Sequence, residues 1–256
     1  MGTQLPVGSA RGTAANSGFL KLPPAFSMMH DQGLVKHTSV NSDSLLVEFD
    51  FNGDFRIEDK PVFIDRYESI DDGTSLWDAG VVLGQYITFY KELYPGNCLE
   101  LGSGTGFAGI CRAIGCPETQ VYLTDVEKII QQAGMNVQMN ELQDRVFTKV
   151  FDWEGECPWT VSAENTFPWD FVMASDVLWH RLLVDKFFKG LAKVTTPGMK
   201  AVLAHVNRSQ NLYADIQAEC AKEGFDVLSV TPSTEMELPH RGHSMCHIWI
   251  LQKQKA

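Results

Sequence analysis

The chain has 256 residues, 44% hydrophobic and 21% charged, and a formal net charge of -11. That length suits one α/β domain with a modest extension rather than two independent domains, and no uncharged apolar run approaches the roughly 18 residues of a membrane span. The acidic balance opposes non-specific nucleic-acid binding, where phosphates reward clustered Lys and Arg, and suits a partner with a basic surface.

Residues 1–30 hold no Asp or Glu and two basic residues, Arg11 and Lys21. A transit peptide would be richer in Arg and amphipathic, so residues 1–40 read as a weakly ordered tail and 41–256 as the domain. Six cysteines (Cys98, Cys111, Cys116, Cys157, Cys220, Cys246) are scattered with no CxxC pair, the usage of a reducing compartment. A soluble cytoplasmic monomer is expected, with the nucleus or mitochondrion as other compartments.

Ser44–Asp50 and Phe55–Glu58 flank Asn52-Gly53, the dipeptide of tight hairpin turns, so an N-terminal β-hairpin is expected. Pro61–Arg66 can add a short strand. Val82, Leu83, Tyr86, Ile87 and Tyr90 have the spacing of an amphipathic helix over Gly80–Leu93, ended by Pro95-Gly96. An alternation follows: strand Cys98–Leu101, helix Phe107–Ile114, strand Val121–Thr124, helix Val126–Met139, strands Val146–Phe151 and Phe171–Ala174. Then come helix Leu182–Val194, strand Lys200–His205, helix Gln210–Lys222, and strands Phe225–Val230 and Cys246–Leu251. Strands separated by helices imply a largely parallel, Rossmann-like sheet with helices on both faces. The last two strands lack a helix between them and can pair antiparallel.

Glu100-Leu101-Gly102-Ser103-Gly104-Thr105-Gly106 lies between a strand and a helix start. Its glycines let backbone approach a ligand closely, while the helix N-terminus offers free N–H donors. Gly104-x-Gly106-x-x-Gly109 also satisfies a dinucleotide fingerprint. A nicotinamide cofactor, however, would require Gly102 and Ser103 to close the strand and would set Glu100 near a pyrophosphate. A sulfonium cofactor instead attracts that carboxylate. Asp125, ending the next strand, can accept both ribose hydroxyls or cap the following helix. Trp153, at a strand end, offers a flat apolar surface to an adenine; Trp77 lies just before a helix and can also be a core anchor. Trp159 and Trp169 lie outside any motif and read as packing residues.

With these motifs, the chain from about Ser44 to Gln252 resembles the small seven-strand lysine methyltransferases, methyltransferase family 16. Gly73-Thr74-Ser75-Leu76-Trp77-Asp78-Ala79 is similar to that family's pre-domain motif, Glu100–Gly106 to its glycine loop, Leu123-Thr124-Asp125 to its ribose segment and Phe151-Asp152-Trp153 to its adenine segment. Ala174-Ser175-Asp176-Val177-Leu178-Trp179 is similar to its Asp-x-x-Tyr motif, with Trp179 in place of the Tyr. The resemblance implies a seven-stranded methyltransferase sheet and S-adenosyl-L-methionine as cofactor, held by Trp77, Glu100, Gly102, Ser103, Gly104, Asp125, Trp153 and Ser175. It implies N-methylation of a protein lysine. The alternatives are a small-molecule N-methyltransferase and a non-catalytic cofactor-binding interaction protein.

At the acceptor end, Asp176 suits attraction and orientation of an amine, or a helix cap or salt bridge. Trp179 suits an apolar or cation-π wall for an ammonium. His180 and His205 follow strands at the ligand end and read as structural. His240, His243, Cys246 and His247 crowd into eight residues, but Cys246 and His247 in one strand point to opposite faces, so no metal site is expected.

Overall fold

A computed structural model describes residues 35–39, 44–49, 57, 60–67, 72–162, 166–208, 210–238 and 245–255. Among the described residues, ten strands form two sheets. The first contains β1 (Val35–Ser39), β2 (Ser44–Phe49) and β3 (Val62–Tyr67), with β2 antiparallel to both neighbours. β1 lies within residues 1–40, the stretch read from the sequence as a tail. The hairpin turn Asn52-Gly53 and its second arm, apart from Ile57, lie outside the described residues. The pairing partner of β2 on the C-terminal side is β3, registered Ser44 to Tyr67 and Phe49 to Val62.

The second sheet holds β4 (Cys98–Leu101), β5 (Val121–Asp125), β6 (Val146–Val150), β7 (Phe171–Ser175), β8 (Lys200–Val206), β9 (Phe225–Pro232) and β10 (Cys246–Lys253), in the order β6-β5-β4-β7-β8-β10-β9. β4 to β8 are mutually parallel, as the intervening helices require. β10 inserts between β8 and β9, antiparallel to each, which closes the sheet with the expected antiparallel pair. The helices are α1 (Asp78–Phe89), α2 (Phe107–Gly115), α3 (Glu127–Met139), α4 (Arg181–Lys193) and α5 (Gln210–Lys222). None is long and apolar enough to cross a membrane.

The strand period of two sorts side chains between two core layers. From β7, Phe171 and Met173 face the layer beneath α1 and α2, while Val172 and Ala174 face the layer beneath α4 and α5. Each fully buried large apolar side chain contributes about 1.5–3 kcal/mol. α1 stops at Phe89, four residues short of the expected end, and Lys91–Leu93 winds into a 3-10 turn. Tyr94 precedes Pro95, whose ring disfavours helical backbone there, and it takes φ -134° and ψ 63°.

A polar stripe joins the two sheets. Gln132, Asn136 and Asn140 are spaced four apart along α3 and its C-cap, and so share one helix face. Asn140 accepts from Phe63 N–H (3.0 Å) and donates to Phe63 O (2.7 Å), while Asn136 accepts from Asp65 N–H (2.8 Å). Gln132 donates to Asp65 O at 2.6 Å. These side-chain amides replace a neighbouring strand along one edge of β3. Asn136 also donates to Thr105 O (2.8 Å), which ties this edge to the glycine loop.

Candidate active site

The strand order turns back on itself between β4 and β7, and in open α/β sheets ligands settle outside the strand C-termini at such a switch point. The loop after β4 is built for close approach. Gly102, Gly104 and Gly106 have φ values of 65°, 54° and 80°. A Cβ on Gly104 would stand 2.8 Å from Gly73 O, and one on Gly102 would stand 2.7 Å from Val177 Cγ1 and 3.1 Å from Trp153 Cζ2. β4 therefore ends at Leu101 and Gly102 begins the turn, the arrangement required by the sulfonium reading and not by the dinucleotide one. Gly73, in the segment before α1, lies directly on the loop.

All ten residues singled out from the sequence (Trp77, Glu100, Gly102, Ser103, Gly104, Asp125, Trp153, Ser175, Asp176 and Trp179) line one cavity of about 560 Å³. β4, β5 and β7 deliver Glu100, Asp125 and Ser175 from adjacent strand ends. Trp153 is braced edge-on by Phe187 of α4, ring centroids 5.3 Å apart. Lys193 donates to the carbonyls of Trp153 and Gly155, each at 2.7 Å, and so straps the Trp153 turn to α4.

The acids at the strand ends are already engaged. Glu100 is 1% exposed, and its Oε2 accepts from Gly109 N–H (2.9 Å) in the first turn of α2. Burial pushes its carboxyl up to about 8, against the Gly109 bond, and the nearby Asp125 adds to the rise. Asp125 Oδ2 accepts from Gly104 N–H (2.9 Å) and Oδ1 from Val126 N–H (2.8 Å), so one carboxylate joins the glycine loop to the start of α3. Burial raises its pKa, and those two bonds oppose the rise.

Asp176 sits just past β7 with a left-handed backbone (φ 53°), its N–H donating to Ala204 O at 2.8 Å. Arg208, between β8 and α5, grips its carboxylate with both prongs: Nη1 to Oδ1 at 2.7 Å and Nη2 to Oδ2 at 2.5 Å. His205 Nδ1 lies 3.6 Å from Oδ1. Burial would raise the Asp176 pKa, but the two bonds from Arg208, with His205 close by, hold it below the usual carboxylate range. Of the roles open from the sequence, amine orientation, helix cap or salt bridge, the salt bridge is formed. Sequence reading missed Arg208, which also lines the cavity. The available signal was its place just beyond β8, beside the strand that carries Asp176.

The remaining sequence expectations resolve locally. His180 caps α4, its Nδ1 accepting from Leu182 N–H at 3.2 Å, and His205 is buried. Trp169 is a packing residue whose indole donates to Val194 O (2.9 Å), with Trp159 edge-on at 5.0 Å. His240 and His243 lie outside the described residues. Within those residues, Cys246 is buried in β10 and His247 keeps its Nδ1 3.2 Å from Met245 O.

The donor set fits S-adenosylmethionine. The buried Ser103 hydroxyl is without a partner among the described residues and lines the cavity, Phe151 and Trp153 form an apolar wall that would fit a purine, and Asp125 and Glu100 are acidic groups that would suit a ribose diol and a cationic ligand. Known proteins point the same way. The chain is 26% identical over 172 residues to protein-lysine N-methyltransferase EFM3 of Chaetomium thermophilum, covering 63% of this chain and 50% of that one. It is 28% identical over 208 residues to protein-lysine N-methyltransferase EFM6 of Saccharomyces cerevisiae, covering 67% and 78%. It spans about half the length of the first curated relatives it matches. Among solved structures, mitomycin 7-O-methyltransferase MmcR shares the fold, with a TM-score of 0.52 at 14% identity over 69% of this chain and 53% of that one. The family model described as lysine methyltransferase matches residues 57–216, and with the methyltransferase sheet and its glycine-loop cavity in place, this chain belongs to that family.

Proposed function

We propose that this protein transfers a methyl group from S-adenosylmethionine to the Nζ of a lysine in a partner protein. The observation that carries the reading is the convergence of the glycine loop, Asp125, Trp153 and Asp176 on one cavity at the sheet's switch point. The names of EFM3 and EFM6 support lysine as acceptor.

Bound in the cavity, the cofactor supplies an electrophilic methyl on a cationic sulfur. It would give that methyl to the acceptor nitrogen and leave as a neutral thioether. The chain's residues supply position. Of the cavity lining, Gly102, Ser103 and Gly104 would hold the cofactor's amino-acid end, Asp125 its ribose, Trp153 its adenine, and Trp77 and Ser175 would flank the methyl-bearing centre. Trp179 and Asp176 form the acceptor side. In-line alignment is the main rate term, worth up to about 7–11 kcal/mol in well-oriented systems. The acceptor must also lose a proton, because a lysine of pKa near 10.4 is neutral in only about one molecule in a thousand at pH 7.4.

The Trp179 indole is 50% exposed at the cavity wall, which suits a side chain entering from a protein surface better than an enclosed small molecule. The net charge of -11 favours a partner with a basic surface, and we assign the enzyme as a monomer. The test is incubation of the purified protein and labelled S-adenosylmethionine with a proteome from cells lacking it. A labelled protein whose mass spectrum places the methyl on lysine is the expected result; label only in small molecules overturns it.

A further inference from the structure

We propose that Arg208 is a positioning residue that makes the acceptor pocket select an unprotonated amine, by neutralising Asp176 before the acceptor arrives. The inference rests on an amine acceptor, as proposed above. A bare Asp176 carboxylate would bind an ammonium tightly and hold its proton in place, which opposes methylation. Here both Asp176 oxygens take charge-assisted bonds from one guanidinium, the planar two-pronged geometry that gives such pairs their strength. Oδ1 also accepts from Val206 N–H at 3.4 Å. An entering amine therefore meets an already neutralised pair, with a sulfonium ahead of it. Such an amine could donate one hydrogen bond to a remaining Asp176 lone pair and keep its own lone pair available for methyl transfer.

The surroundings keep that balance. Among the described residues, His205 of β8, Cys246 of β10 and Asp78 at the start of α1 also act on the pair. Burial keeps the Cys246 thiol protonated. Asp78 acts on Arg208 at longer range and does not line the cavity, so Arg208 is the cation that balances Asp176 there. Lys186, the other cation in the cavity wall among the described residues, is paired with Glu154 at 2.5 Å. The Arg208 side chain is 38% exposed, close enough to solvent for screening to temper its field. A unit charge about 5 Å from an amine, at an effective dielectric near 20 and partly screened, moves the pH of its protonation by about one to two pH units.

The test uses two probes built on the cofactor: adenosine whose 5′-nitrogen carries the homocysteine side chain and a propyl arm ending either in a primary amine or in a methyl group. The ratio of their affinities, measured by calorimetry from pH 7 to 9, cancels the pH dependence of the cofactor site. For the wild type, the amine probe's advantage should grow at least tenfold over that range. For Arg208→Gln it should be larger at pH 7 and should not grow, because the ammonium now binds Asp176 directly. Arg208→Lys keeps the charge and should retain the wild-type slope. A flat ratio in the wild type, or the same growth in Arg208→Gln with methyl-probe affinity intact, overturns the proposal. The ratio is independent of the proteome labelling, so a lysine assignment that fails there leaves this result standing, and the reverse.

Discussion

Gly190 of α4 lies against the indole of Trp153, so that a Cβ built on it would stand 2.7 Å from Trp153 Cβ and 2.8 Å from Cγ. Phe187, one turn earlier on the same helix, holds the ring edge-on. A glycine in a helix interior costs about 1 kcal/mol relative to alanine, so contact with Trp153 accounts for its place. Gly190→Ala should displace the indole from the cavity wall, lower stability by about 1–3 kcal/mol through overpacking, and weaken S-adenosylhomocysteine binding at least tenfold. A urea melt and calorimetric titration of the variant measure both. Unchanged affinity would show that Trp153 does not contact the adenine.

Asp125 couples two loops through one side chain, and its substitution should reveal both roles. Asp125→Ala strands the Gly104 and Val126 amides, each having lost a bond to a charged group worth about 1.5–3 kcal/mol. Cofactor affinity and the unfolding midpoint should fall together. Asp125→Asn has a single acceptor oxygen and can hold only one of the two amides, so it should lie between. Loss of stability with full cofactor affinity would leave Asp125 a structural tie alone.

Glu100 gives the protein a pH dependence of definite sign. Its carboxyl in the fold, at about 8, lies above the unfolded value of about 4.3, so the folded state binds more protons between those limits. Stability of the cofactor-free protein should fall as pH rises from about 5 to 8 and level off beyond. A cationic cofactor favours the ionised form, so S-adenosylmethionine should bind more tightly at pH 8 than at pH 6, with proton release. Glu100→Gln should flatten both profiles. A cofactor affinity independent of pH in the wild type would remove Glu100 from the sulfonium's field.

Trp179 separates folding from chemistry, because half of its side chain is in solvent. Trp179→Ala should change stability by no more than about 0.5 kcal/mol and leave S-adenosylhomocysteine affinity intact, while methylation of the labelled acceptor falls at least tenfold. Trp179→Tyr keeps an aromatic wall and adds a hydroxyl that accepts as well as donates, so it should retain turnover with altered acceptor preference. Full turnover in the alanine variant would take Trp179 out of the acceptor site.

Local chemistry made much of this protein legible in its sequence. The strand and helix periods are properties of a few consecutive residues, and they located β4, β5, α2 and α5 to within a residue or two. The Gly102–Gly106 loop was readable because only glycine tolerates left-handed backbone at such density, and Asp125 and Asp176 because acids at parallel strand ends face the ligand crevice. What joined these pieces was decided by partners distant in the chain. The insertion of β10 between β8 and β9 depends on edges formed up to 52 residues apart, as Gln252 pairs with Lys200. The edge of β3 is satisfied by side-chain amides from α3, some seventy residues on, a pairing that no strand period announces. Arg208 reaches Asp176 across 32 residues, and Gly190 reaches Trp153 across the cavity wall. Such contacts are set by where the sheet places its strand ends, since a carboxylate or an indole has no preferred partner until folding brings one within a few ångströms.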